Sequence, residues 1–444
     1  MKTRPIFPLL LSMSLPMVIS MLVNSLYNII DSFFVAKISE DAMTSLSLVF
    51  PVQNFISATA IGFGIGINAV IAIYLGAGRK EKADIAATQG LALSAVHGIV
   101  LMIICILIMP AFLSMFTSNK NVVDLGVQYC NIVFTFSPAL MLAIAFEKIF
   151  QSVGRMKISM FSMLCGCIAN IILDPLLIFG VGFFPEMGIK GAALATGIGQ
   201  VLTLVIYIIA YLRCELPVKL SAKHKRPDGM IIAKMYSIGI PATLNLALPS
   251  LLISALNGIL AAYSQSYVLV LGIYYKLQTF LYLPANGIVQ GMRPLISYNY
   301  GARRPDRVKK TIKLAMCYAE GIMLIGFLLF QFAPDKLLSF FAASDAMLAI
   351  GIPALRIICL HFLLAGMSII LSSSFQALGN GMFSLIVSIC RQLVVLIPAA
   401  WLLSQTGNVN MVWWSFVIAE LVSVVMSFAL FAQLNKKIIA PLYN

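Results

Sequence analysis

Charge is what this sequence most conspicuously lacks. Asp, Glu, Lys and Arg together make up 10% of its 444 residues, whereas hydrophobic residues make up 61%. Soluble domains average about 25% charged and roughly 45–50% apolar residues. The composition therefore excludes a soluble globular chain and predicts a polytopic membrane protein.

The sequence also has few of the residues from which metal sites and catalytic clusters are built. Its three histidines, His97, His224 and His361, are far apart in the chain, and its eight cysteines lie mostly within apolar runs. Cys165 and Cys167 have the wrong spacing for a metal or redox pair. We therefore expect no enzyme activity and no cofactor.

Long apolar runs dominate what is present, and each is long enough to cross a membrane as a helix. The first follows Lys2 and Arg4 and is too long for a signal peptide, so it is read as the first span. The predicted fold class is an all-α polytopic membrane protein with about twelve transmembrane helices. The runs cover roughly 7–35, 46–75, 84–112, 126–151, 160–182, 189–213, 232–262, 267–299, 309–333, 347–376, 383–404 and 412–435.

The second half of the chain repeats the first at a constant offset of 225 residues. The matched positions are Pro16 with Pro241, Gly76-Ala77 with Gly301-Ala302, and Phe150-Gln151 with Phe375-Gln376. Because each repeat holds an even number of spans, the two six-helix repeats are predicted to be parallel, related by an axis along the membrane normal. The predicted domains are an N-lobe of helices 1–6 (residues 1–213), a cytoplasmic linker (214–231) and a C-lobe of helices 7–12 (232–444).

Positive charge is distributed in a way that predicts the topology. The net charge is +14, and 21 of the 30 Lys and Arg residues fall on one side of the predicted helices against four on the other. By the positive-inside rule, the linker and both termini are cytoplasmic in a multi-pass protein of the plasma membrane. The basic charge is thus topological, so we expect membrane lipid and no nucleic acid as a partner.

Two carboxylates in the apolar runs of the first repeat have no counterpart in the second. Asp31 corresponds to Leu256 and Asp174 to Ala399. A charged Asp at bilayer depth costs about 2.5–3.5 kcal/mol on insertion scales, so each one calls for a partner or a function. This asymmetry points to the first repeat as the place to look for function.

Polar side chains accompany both acids at helical spacing. They are Ser20, Asn24, Tyr27 and Asn28 on the first span, Asn170 on the fifth, and Thr196 with Gln200 on the sixth. Carboxylates with nearby amide and hydroxyl oxygens suit either a Na⁺ site or a protonatable pair. The alternative is that each Asp only caps or cross-links helices, but two acids with such neighbours on three helices favour a coupling-cation site.

The apolar runs of the second repeat hold bases instead of these acids. Lys276 and Arg391 lie deepest, and each could face a C-lobe cavity, pair with Glu420 or bind an anionic group. The sequence is compatible both with pairing of these bases to Glu420 and with their contact with substrate.

With these residues the chain resembles the MATE (multidrug and toxic compound extrusion) family of efflux antiporters, over essentially its whole length. The resemblance rests on four motifs together. They are the first helix from Pro16 to Asp31, Asn170-x-x-x-Asp174-Pro175, Gly188-x-x-Gly191-Ala192-Ala193-x-Ala195-Thr196, and Tyr298-Asn299-Tyr300-Gly301-Ala302.

The resemblance implies a secondary active antiporter that exports organic, often cationic, drugs in exchange for H⁺ or Na⁺ by alternating access. It also implies that Asp31, Asn170, Asp174 and Thr196 form the coupling site for H⁺ or Na⁺, with Pro16 near a bend of the first helix. We expect a small organic molecule as substrate and a monomer. The chain departs from some members in having no acid in 232–262, which argues against coupling through the second lobe.

A lipid-linked oligosaccharide flippase of the same superfamily is the alternative function. It would use cavity bases such as Lys276 and Arg391 to hold a pyrophosphate, whereas an exporter of organic cations would not. The number of spans and the charge around these two bases discriminate between the two functions.

Overall fold

The computed structural model of the chain describes residues 2–182, 184–224, 226–341 and 344–443. Within these residues twelve helices are long and apolar enough to cross a membrane, and no β-strand is present. The predicted fold class is thereby confirmed. Lys225, one of the charges of the predicted linker, lies outside the described residues. The helices are α1 (Ile6–Ala36), α2 (Glu40–Gly76), α3 (Lys80–Phe116), α4 (Lys120–Ser152), α5 (Met156–Phe179), α6 (Ile189–Arg213), α7 (Gly229–Ala261), α8 (Gln265–Gly301), α9 (Pro305–Phe332), α10 (Asp345–Ala377), α11 (Gly381–Ser404) and α12 (Val409–Leu442).

The backbone repeats at the same offset of 225 residues as the sequence. A 3₁₀ turn interrupts α4 at Phe134–Phe136 and α10 at Cys359–His361. Left-handed backbone recurs at Gly154 (φ 80°) and Gly379 (φ 85°), where glycine avoids a steric penalty. One difference stands out, because α11 contains a π-helical segment, Cys390–Leu396, where its counterpart α5 is regular α-helix.

The chain forms two compact units whose boundaries fall inside α1 and α7. The first-repeat unit is Ile19–Thr243, and the second-repeat unit combines Met1–Val18 with Leu244–Asn444. The break points, after Val18 and after Thr243, are again 225 residues apart. Each unit therefore includes the first half of the opening helix of the other repeat. The division of the chain into an N-lobe ending at residue 213 and a C-lobe beginning at residue 232 follows the repeat in the sequence and stays a prediction.

Glycines allow these helix halves to pack closely within each unit. In the first-repeat unit, a Cβ at Gly62 would lie 2.5 Å from the Thr243 backbone nitrogen. In the second-repeat unit, a Cβ at Gly287 would lie 2.8 Å from the Val18 backbone nitrogen. Real Cβ atoms do not approach that closely, so both positions require glycine for the helix backbones to meet.

Candidate functional site

Asp31 and Asp174, the two acids singled out in the apolar runs of the first repeat, lie together in the first-repeat unit. Asp31 on α1 is 8% exposed and Asp174 on α5 is fully buried. They are close enough to interact electrostatically. No Lys, Arg or His of the described residues lies within 4.0 Å of either carboxylate. The Oδ1 atom of each is buried and accepts no hydrogen bond from the described part of the chain.

Asn170 connects Asp174 to α6. In the amide orientation that gives both ends a partner, its nitrogen donates to Asp174 Oδ2 at 3.0 Å, and its oxygen accepts from the Thr196 backbone N–H at 3.0 Å and the Thr196 hydroxyl at 3.3 Å. The helices come this close because Gly166 on α5 faces Gly199 on α6, where a Cβ on Gly199 would lie 2.8 Å from the Gly166 carbonyl oxygen. The predicted cluster of Asp31, Asn170, Asp174 and Thr196 is thus assembled by α1, α5 and α6.

Tyr27 belongs to the same cluster. Its side chain lies beside Thr196, Asp31 and Asp174. A phenolic hydroxyl both donates and accepts, so Tyr27 adds an oxygen at the side of the two carboxylates.

Three other residues of the predicted polar set stay outside the cluster. Asn24 and Asn28 are exposed, and Asn28 Nδ2 donates to the Asn24 carbonyl oxygen at 2.7 Å. Gln200 is half-buried one turn beyond Thr196, and its Oε1 has no hydrogen-bond partner in the described part of the chain. Helical spacing predicts a shared face, but a face can be wide enough to hold both buried and exposed positions.

Sequence reasoning missed Tyr129, which lies near Asp31, and its hydrogen-bond partner Gln53. Tyr129 on α4 is 1% exposed and lies near both Asp31 and Tyr27. Gln53 on α2 donates to the Tyr129 hydroxyl at 3.2 Å. A Gln inside an apolar run is the signal that could have identified this contact.

The two bases of the second repeat lie apart from each other. Arg391 Nη1 is 3.2 Å from Glu420 Oε2, so the structure shows the pairing that was one of the predicted alternatives. Lys276 is exposed, with its amine 5.9 Å from the centre of the Phe341 ring.

Glu420 is the centre of a buried polar network in the second-repeat unit. It also accepts a short hydrogen bond from Ser368, and its Oε2 lies 3.7 Å from His361 Nδ1. His361 Nε2 is 2.9 Å from the Tyr274 hydroxyl. His361 and Tyr274 were not predicted as site residues, although a His in an apolar run is a signal for a buried polar contact.

Taken together, the cluster in the first-repeat unit offers carboxylate, amide and hydroxyl oxygens without a protein cation among the described residues. Oxygen ligands of this kind suit a proton or a hard alkali-metal ion such as Na⁺. Such a cation would neutralise two acids that are otherwise buried and close together.

Comparison with known proteins identifies the family. The sequence profile described as MatE matches residues 16–176 and 241–402, one match in each repeat. The chain belongs to the MatE family. The resemblance to MATE transporters noted from the motifs is therefore confirmed.

Individual MatE relatives align over nearly the whole chain. "Multidrug export protein MepA" of Staphylococcus haemolyticus (strain JCSC1435) is 27% identical over 434 residues, which is 98% of this chain and 95% of that protein. The structure described as "Crystal structure of MATE in the bent conformation" superposes with a TM-score of 0.91 at 25% identity, covering 100% of this chain and 99% of the other. An "Outward-facing conformation of a multidrug resistance MATE family transporter of the MOP superfamily" gives 0.89 at 25% identity, with coverages of 100% and 99%.

Proposed function

We propose that this protein is a secondary active antiporter that exports small organic, often cationic, compounds in exchange for H⁺ or Na⁺. Membership of the MatE family and the relatives named as multidrug exporters support export of drugs. The observation that carries the coupling is the pair Asp31 and Asp174, both buried and each with a carboxylate oxygen that has no partner among the described residues.

In this proposal the coupling cation binds where the two carboxylates approach each other. A proton would bind to a carboxylate oxygen. Na⁺ would bind both carboxylates and the Thr196 hydroxyl oxygen, and the Asn170 amide would turn over so that its oxygen, rather than its nitrogen, faces the ion. Either ion removes the repulsion between two buried like charges, so its binding favours a different packing of α1, α5 and α6. Alternating access then exchanges the cation for the drug, and Pro16, inside the continuous α1, is the expected position of a bend.

We propose a monomer in the plasma membrane, surrounded by lipid, with both termini in the cytoplasm and no catalytic activity or nucleic-acid partner. The flippase alternative is not favoured. Arg391 is engaged by Glu420, and Lys276 is an exposed base beside Phe341.

Drug-evoked cation flux in proteoliposomes tests the proposal, with Na⁺ and pH gradients imposed separately. The ion whose gradient drives uptake of a cationic dye is the coupling ion. We expect Asp31→Asn and Asp174→Asn each to abolish coupled transport while the protein stays folded, because each removes a charge that the cation must neutralise. Glu40→Gln, at an exposed carboxylate in the first turn of α2, is the matched control and should transport normally. Full transport with normal ion dependence in both Asp variants would rule this site out.

A further inference from the structure

Each repeat holds a cation bound by a glutamine at the equivalent position, and this cation is buried in the first repeat and half-buried in the second. In the first-repeat unit, Lys148 Nζ on α4 donates to Gln151 Oε1 at 3.0 Å and to Glu147 Oε1 at 2.9 Å. Gln151 Nε2 also donates to Glu147 Oε1, at 2.6 Å. The Lys148 and Glu147 side chains are buried. This site therefore contains its own carboxylate and has no net charge.

The equivalent site in the second-repeat unit keeps the cation and the glutamine but has lost the carboxylate. At the offset of 225, Gln376 stands for Gln151, and Ser372 stands for Glu147. The cation now comes from α8, where Arg293 Nη2 donates to Gln376 Oε1 at 2.8 Å. No Asp or Glu of the described residues lies within 4.0 Å of Arg293. Its Nε atom is buried without a partner in that part of the chain.

The hydrogen bonds beside Arg293 form a chain from Gln376 and Asn245 through Ser384 to Ser372. Ser384 Oγ accepts from Gln376 Nε2 at 3.0 Å and from Asn245 Nδ2 at 2.8 Å. A hydroxyl oxygen has two lone pairs, so with both occupied Ser384 is placed to donate its own hydrogen to Ser372 Oγ, 2.7 Å away. The hydroxyl hydrogen of Ser372 is then left for a further acceptor. Asn245 Oδ1 also has no partner among the described residues. One neutral amide oxygen does not offset a guanidinium charge.

We propose that Arg293, Ser372 and Gln376 bind a small monovalent anion in the place where the first repeat carries the carboxylate of Glu147. Ser has a hydroxyl group where Glu has a methylene and a carboxylate group, and this difference in side-chain size suits an anion no larger than chloride or a single carboxylate. Arg293 and Ser372 are half-buried, so neither is enclosed by the protein on all sides. The site goes beyond the cation coupling proposed for Asp31 and Asp174, because it is in the other unit and takes an ion of the opposite sign.

Two sources could supply this ligand chemistry, namely a free inorganic anion and the carboxylate of a transported molecule. Purified full-length protein is titrated with sodium chloride or sodium acetate against sodium gluconate at constant ionic strength, and thermal stability reports binding. Stabilisation by chloride points to the inorganic ion, and stabilisation by acetate alone points to a substrate carboxylate. If neither anion stabilises the wild type, the proposal is wrong.

Three variants and a control make the test specific to this site. Arg293→Gln should weaken anion affinity at least tenfold. Ser372→Glu supplies the carboxylate of the first repeat, so it should fold and lose the response to added anion. Glu147→Ser removes that carboxylate from Lys148 and should create a second anion-dependent transition. Arg304→Gln, at an exposed guanidinium on the loop before α9, should respond like the wild type.

Ser372→Glu keeps the proposal testable even if Arg293→Gln does not fold. An unchanged response to chloride and acetate in Ser372→Glu would overturn the site, because an internal carboxylate should compete directly with the external anion. Loss of the response in Arg304→Gln as well would overturn it too, since the anion would then act on the exposed basic charge in general and not at this site.

Discussion

Arg391→Gln is expected to destabilise the protein far more than Glu420→Gln, although both break the same ion pair. The reason is an asymmetry in exposure, because 28% of the Arg391 side chain is exposed and only 3% of the Glu420 side chain. Without Arg391, a buried carboxylate remains, and among the described residues its polar contacts are then Ser368 and the more distant His361. Without Glu420, the guanidinium can turn toward water or the lipid headgroups.

The expected magnitudes follow from this difference. Leaving one partner of a buried ion pair uncompensated costs about 3–5 kcal/mol. Loss of a hydrogen bond to a charged group costs about 1.5–3 kcal/mol, and the lower end applies where the remaining group can be solvated. For a unit of roughly 200 residues, where 1 kcal/mol corresponds to about 2–4 °C, Arg391→Gln should lower the melting temperature by on the order of 10 °C, and Glu420→Gln by a few degrees.

The double variant Arg391→Gln with Glu420→Gln completes the test. It removes both charges, so it should regain most of the stability lost in Arg391→Gln. Thermal unfolding of the four purified proteins in one detergent, followed by intrinsic fluorescence, measures the cycle. If the double variant melts as low as Arg391→Gln, or if Glu420→Gln is the less stable single variant, the reasoning from exposure is refuted. Transport of a cationic dye by a stable double variant should stay within a few-fold of the wild type.

Further predictions concern topology, the second base and helix packing. In a cysteine-free background, Ser39→Cys should react with an impermeant thiol reagent from outside intact cells, and Ala222→Cys only after permeabilisation; the opposite result would invert the topology. Lys276→Gln should leave transport of a cationic dye within a few-fold of the wild type, since a base does not bind a cation, whereas a collapse of transport would favour an anionic substrate. Gly287→Ala should cost roughly 1–3 kcal/mol through overpacking, measured as a lower melting temperature. Gly321→Ala, with open space around it, should not, and equal losses in both would contradict the packing argument.

Much of the fold could be predicted from the sequence because its causes are local. An apolar run of membrane-spanning length dictates a helix, and a constant offset of 225 fixes which helices correspond. The grouping of Asp31 with Asp174 was also predictable, because two acids in apolar runs are too costly to be accidental. The role of these residues in binding a cation stays a prediction until transport is measured.

What could not be predicted depends on contacts between segments that are distant in sequence. Asn24 and Asn28 share the helical face of Asp31, but the spacing does not tell which part of a face is covered by other helices. Tyr129 approaches Asp31 only through the packing of α4 in the folded unit. Likewise, the sequence left both pairing with Glu420 and contact with substrate open for Arg391, and the fold of α11 and α12 decides for Glu420.

The units exchange the first halves of α1 and α7, so the linker between the repeats is not a boundary between the units. Cutting the linker would release two fragments, and neither would contain a complete unit. The segment before Val18 belongs with residues 244–444, and residues 229–243 belong with the first-repeat unit. The two fragments should therefore fold only when they are synthesised together. A single-repeat ancestor with the same pairing would have been a domain-swapped homodimer, and fusion of two copies would have converted that exchange into covalent linkage.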